Sequence, residues 1–163
     1  MRRIFTVLAL AAVLFPLCAG EAGAQTQRPP VPDRNEITIL ARTTITALNH
    51  ANRTGNYTVF RDLGSPDFQK ANTSAGLAEI FGTLRKRDLD LASIVLFNPQ
   101  FTKPPAIDKR GMLRLTGFFP TKPLAVNFDL AYQSIAGRWR LFGISVSTTP
   151  ASNPGATPAV PGQ

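Results

Sequence analysis

A single histidine, His50, and a single cysteine, Cys18, bound the chemistry open to this 163-residue chain. Transition-metal sites gather three or four His, Cys or carboxylate ligands, so one imidazole gives no ground for a metal site or any other cofactor. No glycine-rich loop follows a strand-like run to cradle a phosphate. No serine is framed by the His and Asp partners that would activate it. Asp62, Asp67, Glu79, Asp88 and Asp90 read as surface or capping carboxylates rather than as an acid–base pair. His50 sits about two positions off the apolar stripe of its helix, which reads as a surface imidazole. What remains is aromatic. Tyr57, Phe60, Phe119, Phe128, Tyr132 and Trp139 can line a pocket at the open end between helices and a sheet. The Tyr132 hydroxyl and the Trp139 indole N–H would then need partners. The alternative is that the same rings fill the core.

The sheet that would carry these rings is written between Leu113 and Val146. Leu113, Leu115, Gly117 and Phe119 alternate along one strand, and Leu124, Val126, Phe128, Leu130 and Tyr132 along the next. Pro120 to Pro123 breaks the run, because proline cannot donate to a ladder. Ser134 to Gly137 reads as a hairpin loop with glycine at a left-handed position. A tight hairpin sets Tyr132 opposite Trp139 and Leu130 opposite Leu141. It also brings Asp129 diagonal to Arg140, where an ion pair is expected. Strict alternation leaves Met112, Phe118, Phe142, Ile144 and Val146 on the other face, too apolar for water. A homodimer through that outer face would bury them, as would a tail lying across it.

Helices precede the sheet. Ile37, Ala41, Ile45, Leu48 and Ala51 recur every three or four residues from Arg34 to Arg53, with Asp33 as N-cap and Gly55 as the stop. Asn56 caps a short helix carrying Tyr57, Phe60 and Leu63. Ser65-Pro66-Asp67 opens another that buries Phe68. Thr73 or Ser74 opens a last helix, with Leu77, Ile80, Phe81 and Leu84 on one face, that closes on Arg85-Lys86-Arg87, cations where the helix dipole favours them. Leu89 to Phe97 is expected as the first strand of the sheet, and Lys103-Pro104-Pro105 as an extended connection. Asp108 to Gly111 is a turn feeding Met112. The order predicts an α+β fold, with N-terminal helices on one face of a curved antiparallel sheet of four or more strands.

The ends carry a different message. Arg2 and Arg3, the apolar run from Ile4 to Leu17 and Ala22-Gly23-Ala24 form a secretory signal cut before Gln25, giving a signal peptide over 1–24. Cys18 would allow a lipid anchor, but Phe15-Pro16-Leu17 lacks the small residue expected before it. The apolar run is shorter than the ~20 residues a spanning helix needs, so the mature chain carries no transmembrane segment. Residues 25–34 form a proline-rich lead-in, 35–148 the domain and 149–163 a disordered Pro/Ala/Gly tail. Destination and charge go together: an exported chain, bacterial periplasmic or secreted, with a formal net charge of +8. That charge favours an anionic surface over nucleic acid, although dispersed cations also serve solubility alone. Asn52-Arg-Thr54, Asn56-Tyr-Thr58 and Asn72-Thr-Ser74 match the N-glycosylation pattern, which matters only in a eukaryotic host.

Ala47-Leu48-Asn49, Ala51-Asn52, Thr54-Gly55-Asn56, Phe60, Leu63 and Ser65-Pro66-x-Phe68 resemble the opening helices of nuclear transport factor 2-like domains. Phe128-x-Leu130-x-Tyr132 and Gly137-Arg138-Trp139-Arg140-Leu141-x-Gly143-Ile144-x-Val146 are similar to that superfamily's last two strands. The resemblance covers about Asn35 to Val146. It implies a curved sheet wrapped round a long helix as a cone with an apolar pocket, and often a dimer through the sheet. The superfamily holds isomerases, cyclases, dehydratases and non-catalytic binding modules. It often has Asp where Asn56 stands here, and its isomerase branch pairs a carboxylate base with a Tyr hydroxyl in one cavity. Asp129 is the one carboxylate within the three long strands, and alternation points it away from that cavity. Two readings follow: a non-catalytic exported binding or assembly module for a small apolar ligand, or a small pocket enzyme of isomerase, cyclase or dehydratase type.

Overall fold

The structure is a computed structural model that describes residues 29–151. The expected signal peptide, the start of the proline-rich lead-in and the tail from 152 onward lie outside the described residues. Helix α1 spans Arg34–Thr54. Asp33 begins it by accepting from the Glu36 N–H at 2.8 Å, and Gly55 ends it at φ 71°, a left-handed conformation that favours glycine. Ile37, Ala41, Ile45 and Leu48 are buried along one side. Burying each of the larger three contributes about 2 kcal/mol.

Four short helices follow: α2 (Thr58–Asp62), α3 (Pro66–Ala71), α4 (Ser74–Ile80) and α5 (Gly82–Lys86). Ser65 accepts from Phe68 N–H and Thr73 from Gly76 N–H, so both caps lie where the sequence puts them. Asn56 also accepts, from the Thr58 N–H at 3.0 Å. The single helix expected after Thr73 is broken at Phe81. There the ring turns into the core to stack with Tyr57 at 6.3 Å and meet Phe60 edge-on at 6.1 Å.

Five strands form one antiparallel sheet: β1 (Gln100–Phe101), β2 (Ala106–Ile107), β3 (Leu113–Phe119), β4 (Leu124–Ile135) and β5 (Arg138–Pro150). Both short strands pair with β3, whose other edge pairs with β4, and β4 pairs with β5. Gly117 is required where β1 crosses close to β3, since a Cβ there would collide with the Gln100 carbonyl. The helices pack against one sheet face, and the described residues form an α+β fold.

The structure corrects four further expectations. Leu89 to Phe97 is not a strand; Ala92–Leu96 is a 3-10 helix. Asp90 accepts from the Ala92 N–H at 2.9 Å and Asn49 accepts from the Leu91 N–H at 2.9 Å. These side chains take the backbone donor groups that a ladder would need. Leu91 and Ile94, three apart, are the buried residues, which suits a tight helical turn better than a pleat.

The β4–β5 register is the second. The chain reverses over Ala136 and Gly137, at φ 48° and 75°, so Tyr132 faces Leu141 and Ser134 faces Trp139. A β-bulge then leaves Phe142 unpaired between Leu141 and Gly143. One extra residue inverts the alternation, so Ile144 pairs with Leu130 and Val146 with Phe128, and both pack against the core. The expected outer apolar face therefore loses Ile144 and Val146. Met112 is itself buried, Phe142 lies under the Arg110 guanidinium at 5.6 Å, and Phe118 is half-buried. Between Met112 and Phe118, about 20 Å apart along the strand, lie Arg114 and Thr116.

Third, Asp129 pairs with Arg114 at 2.7 Å rather than with Arg140. Arg140 instead donates to the Gly64 and Asp62 carbonyls at 3.0 and 2.6 Å. Fourth, β5 runs to Pro150, two residues into the expected tail, and Ala151 N–H donates to the Pro123 carbonyl at 2.9 Å.

Candidate functional site

The six aromatic residues do not converge on one cavity. Tyr57, Phe60, Phe119, Phe128 and Tyr132 are buried, and Trp139 is half-buried. Phe119 and Phe128 pack together at 5.4 Å, with Phe101 edge-on to Phe128 at 6.1 Å. Tyr57 and Phe60 form a separate cluster with Phe68 and Phe81. Tyr132 is pinned under α1. Its hydroxyl donates to the Leu40 carbonyl at 2.9 Å and accepts from Thr44 at 2.8 Å. Burial pushes the Tyr132 phenol up, against a smaller opposing effect of the Thr44 bond. The Tyr57 hydroxyl donates to Asn52 at 2.6 Å, and burial pushes it up too, partly offset by Arg85. Both phenols are therefore spent on structure, and neither is bonded to a carboxylate or to His50.

An opening lies on the opposite side of α1. It is a groove of about 620 Å³ whose floor is Thr43, Thr46, Ala47, His50, Ala51 and Thr54. Val59, Phe60 and Leu63 of α2 form one wall, and Val95 of the 3-10 helix stands on the other side with Arg42. Val59 is 68% exposed, Leu63 55% and Val95 51%. A smaller cavity of about 160 Å³ shares Thr43, Ala47, Phe60 and Leu63 with the groove, and continues it to Tyr132, Trp139 and Leu141. Of the six aromatic residues, Phe60, Tyr132 and Trp139 thus reach an opening.

Both walls are held by directed bonds. Arg140 grips the end of α2 through the Asp62 and Gly64 carbonyls, and the Ser65 N–H donates to the Leu141 carbonyl at 2.7 Å. This covers the edge of β5 and fixes α2 beside α1. Arg61 adds bonds to the Gln69 and Asn72 carbonyls. On the other side, Arg42 donates to the Phe97 carbonyl at 2.8 Å and to Asn98 Oδ1 at 3.1 Å. The buried Asn49 side chain ties the start of the 3-10 helix to α1 and donates to Asp90 at 3.1 Å. The Ala92 N–H, then Asn49, hold the Asp90 carboxyl below the usual carboxylate range. Desolvation opposes them less strongly, and Arg53 at 3.0 Å adds the smallest lowering effect.

Sequence reasoning missed most of this groove, and the signal that marks it is compositional. The solvent side of a surface helix usually carries charge; here it carries Thr43, Thr46, Ala47, His50 and Thr54. The threonines and the alanine are small and uncharged, so they leave room and add little hydration for a ligand to displace. Among the described residues no group of three or more His, Cys, Asp or Glu is placed to hold a metal ion. No helix among them is long and apolar enough to cross a membrane. The fold class is α+β, and no family model, curated protein or solved structure matches the chain.

Proposed function

We propose that this protein is an exported, non-catalytic binding module that takes a small apolar ligand in the groove on the outer side of α1. The observation that carries the reading is that groove, walled by exposed Val59, Leu63 and Val95 over a floor of small side chains. Exposed apolar residues gathered round a concavity mark a binding site more often than scattered ones do. Export rests on Arg2, Arg3, the run from Ile4 to Leu17 and Ala22-Gly23-Ala24 in the sequence. A nuclear transport factor 2-like ancestry is part of the same proposal, supported by helices that precede an antiparallel sheet and by the motifs round Gly55 and Trp139.

Native mass spectrometry of the purified protein tests this reading, with Nile red as a neutral apolar probe. The expected result is a co-purifying small molecule, or Nile red fluorescence that rises with the protein and is lost in Ala47→Phe, which fills the floor shared by both openings. A bare protein mass with no Nile red response overturns it.

A further inference from the structure

We propose that the ligand of this groove is a free single-chain amphiphile whose anionic head, a carboxylate or phosphate, is held at Arg42. This inference rests on the binding reading above and names the class of molecule bound. The charge of the lining is one-sided. Arg42 and His50 are its ionisable residues, and it contains no carboxylate. An uncharged ligand would gain nothing from that arrangement, and a cationic one would be repelled.

Arg42 is also prepared for the role. Its Nη2 bonds to Phe97 and Asn98 fix the guanidinium, so little side-chain freedom is lost when a ligand arrives. Its Nε is buried and has no acceptor among the described residues. The anion does not have to reach that atom, because the positive charge is delocalised over the whole guanidinium. His50, eight residues along α1, stands about 12 Å further down the helix. Between the two lie Thr43, Thr46 and Ala47, with Val59 and Leu63 along the wall. The head therefore sits at Arg42, and the chain runs over Ala47 against α2.

The test compares dodecanoate with dodecanol, which have the same chain and differ in charge, by displacement of Nile red from the purified protein. Dodecanoate should bind about 10-fold more tightly than dodecanol, and that advantage should shrink as salt rises. Arg42→Gln should bring the affinities of the two probes together, the ratio being the readout, with the melting temperature checked for the variant. Equal affinity of the two probes for the unmodified protein overturns the anionic inference and leaves the groove reading standing. Failure of both probes and of Nile red overturns the two together. Binding to phosphatidylglycerol vesicles without binding of free dodecanoate overturns it in favour of a membrane surface.

Discussion

The two sides of α1 teach opposite lessons about apolar residues. On the inner side, Ile37, Ala41, Ile45 and Leu48 meet Leu113, Leu115, Leu130 and Tyr132 in the core, and the buried Tyr132 phenol there already has its bonds. On the outer side, Ala47 and three threonines face an open groove, with Val59 and Leu63 in solvent. Large aromatic residues are concentrated on the filled side. Their size stabilises the fold, and the same size leaves no space. The floor of the open side is made of residues too small to close it, so the aromatic side chains mark the core more than the opening, which only Phe60, Tyr132 and Trp139 reach.

The largest effect expected from this contrast is in stability. Leu130→Ala should lower the unfolding free energy by about 3 kcal/mol, measured by urea denaturation. Val59→Ala should change it by less than about 0.5 kcal/mol while weakening Nile red binding. Equal losses for the two variants would erase the distinction between the sides of α1.

Next comes the bulge at Phe142, which decides what lies against the helices. Ile144→Asp places a carboxylate against the core and should cost about 2 kcal/mol; Ser145→Asp, on the outer face, should cost less than about 0.5 kcal/mol. The reverse order would mean that β5 follows simple alternation and that Ile144 faces outward.

The smallest effect concerns the tie between the groove's far wall and α1. Asp90→Ala removes the acceptor for the Ala92 N–H and for Asn49, and should cost about 1 kcal/mol near neutral pH. The folded-state value of Asp90 lies below its ordinary 3.8. Its contribution is therefore complete above that value and is lost as the pH falls from there through the lower folded value. The gap between the variant and the unmodified protein should close on acidification below 3.8, read from urea midpoints across that range.

Much of the frame was legible beforehand because its signals are local. Asp33 and Gly55 bound α1, Ser65 and Thr73 cap α3 and α4, and alternation assigned the inner faces of β3 and β4, all through contacts within a few residues. The 3-10 segment is not legible locally, because Asn49, 42 residues earlier, supplies the acceptor that holds Leu91 out of a ladder. The candidate site was the least legible part. Arg42, Thr46, Ala47, Val59 and Val95 become neighbours only when α2 and the 3-10 helix are fixed on either side of α1.

By itself, then, the sequence determined the helix ends, the inner faces of two long strands and the α+β order, because caps and periodicity act between near neighbours along the chain. Only the tertiary structure decided that one unpaired residue turns Ile144 and Val146 inward, that Arg114 rather than Arg140 takes Asp129, and that the opening lies on the far side of α1. Each of these depends on which distant backbone groups and side chains reach a shared partner first, and that competition is settled by packing in three dimensions.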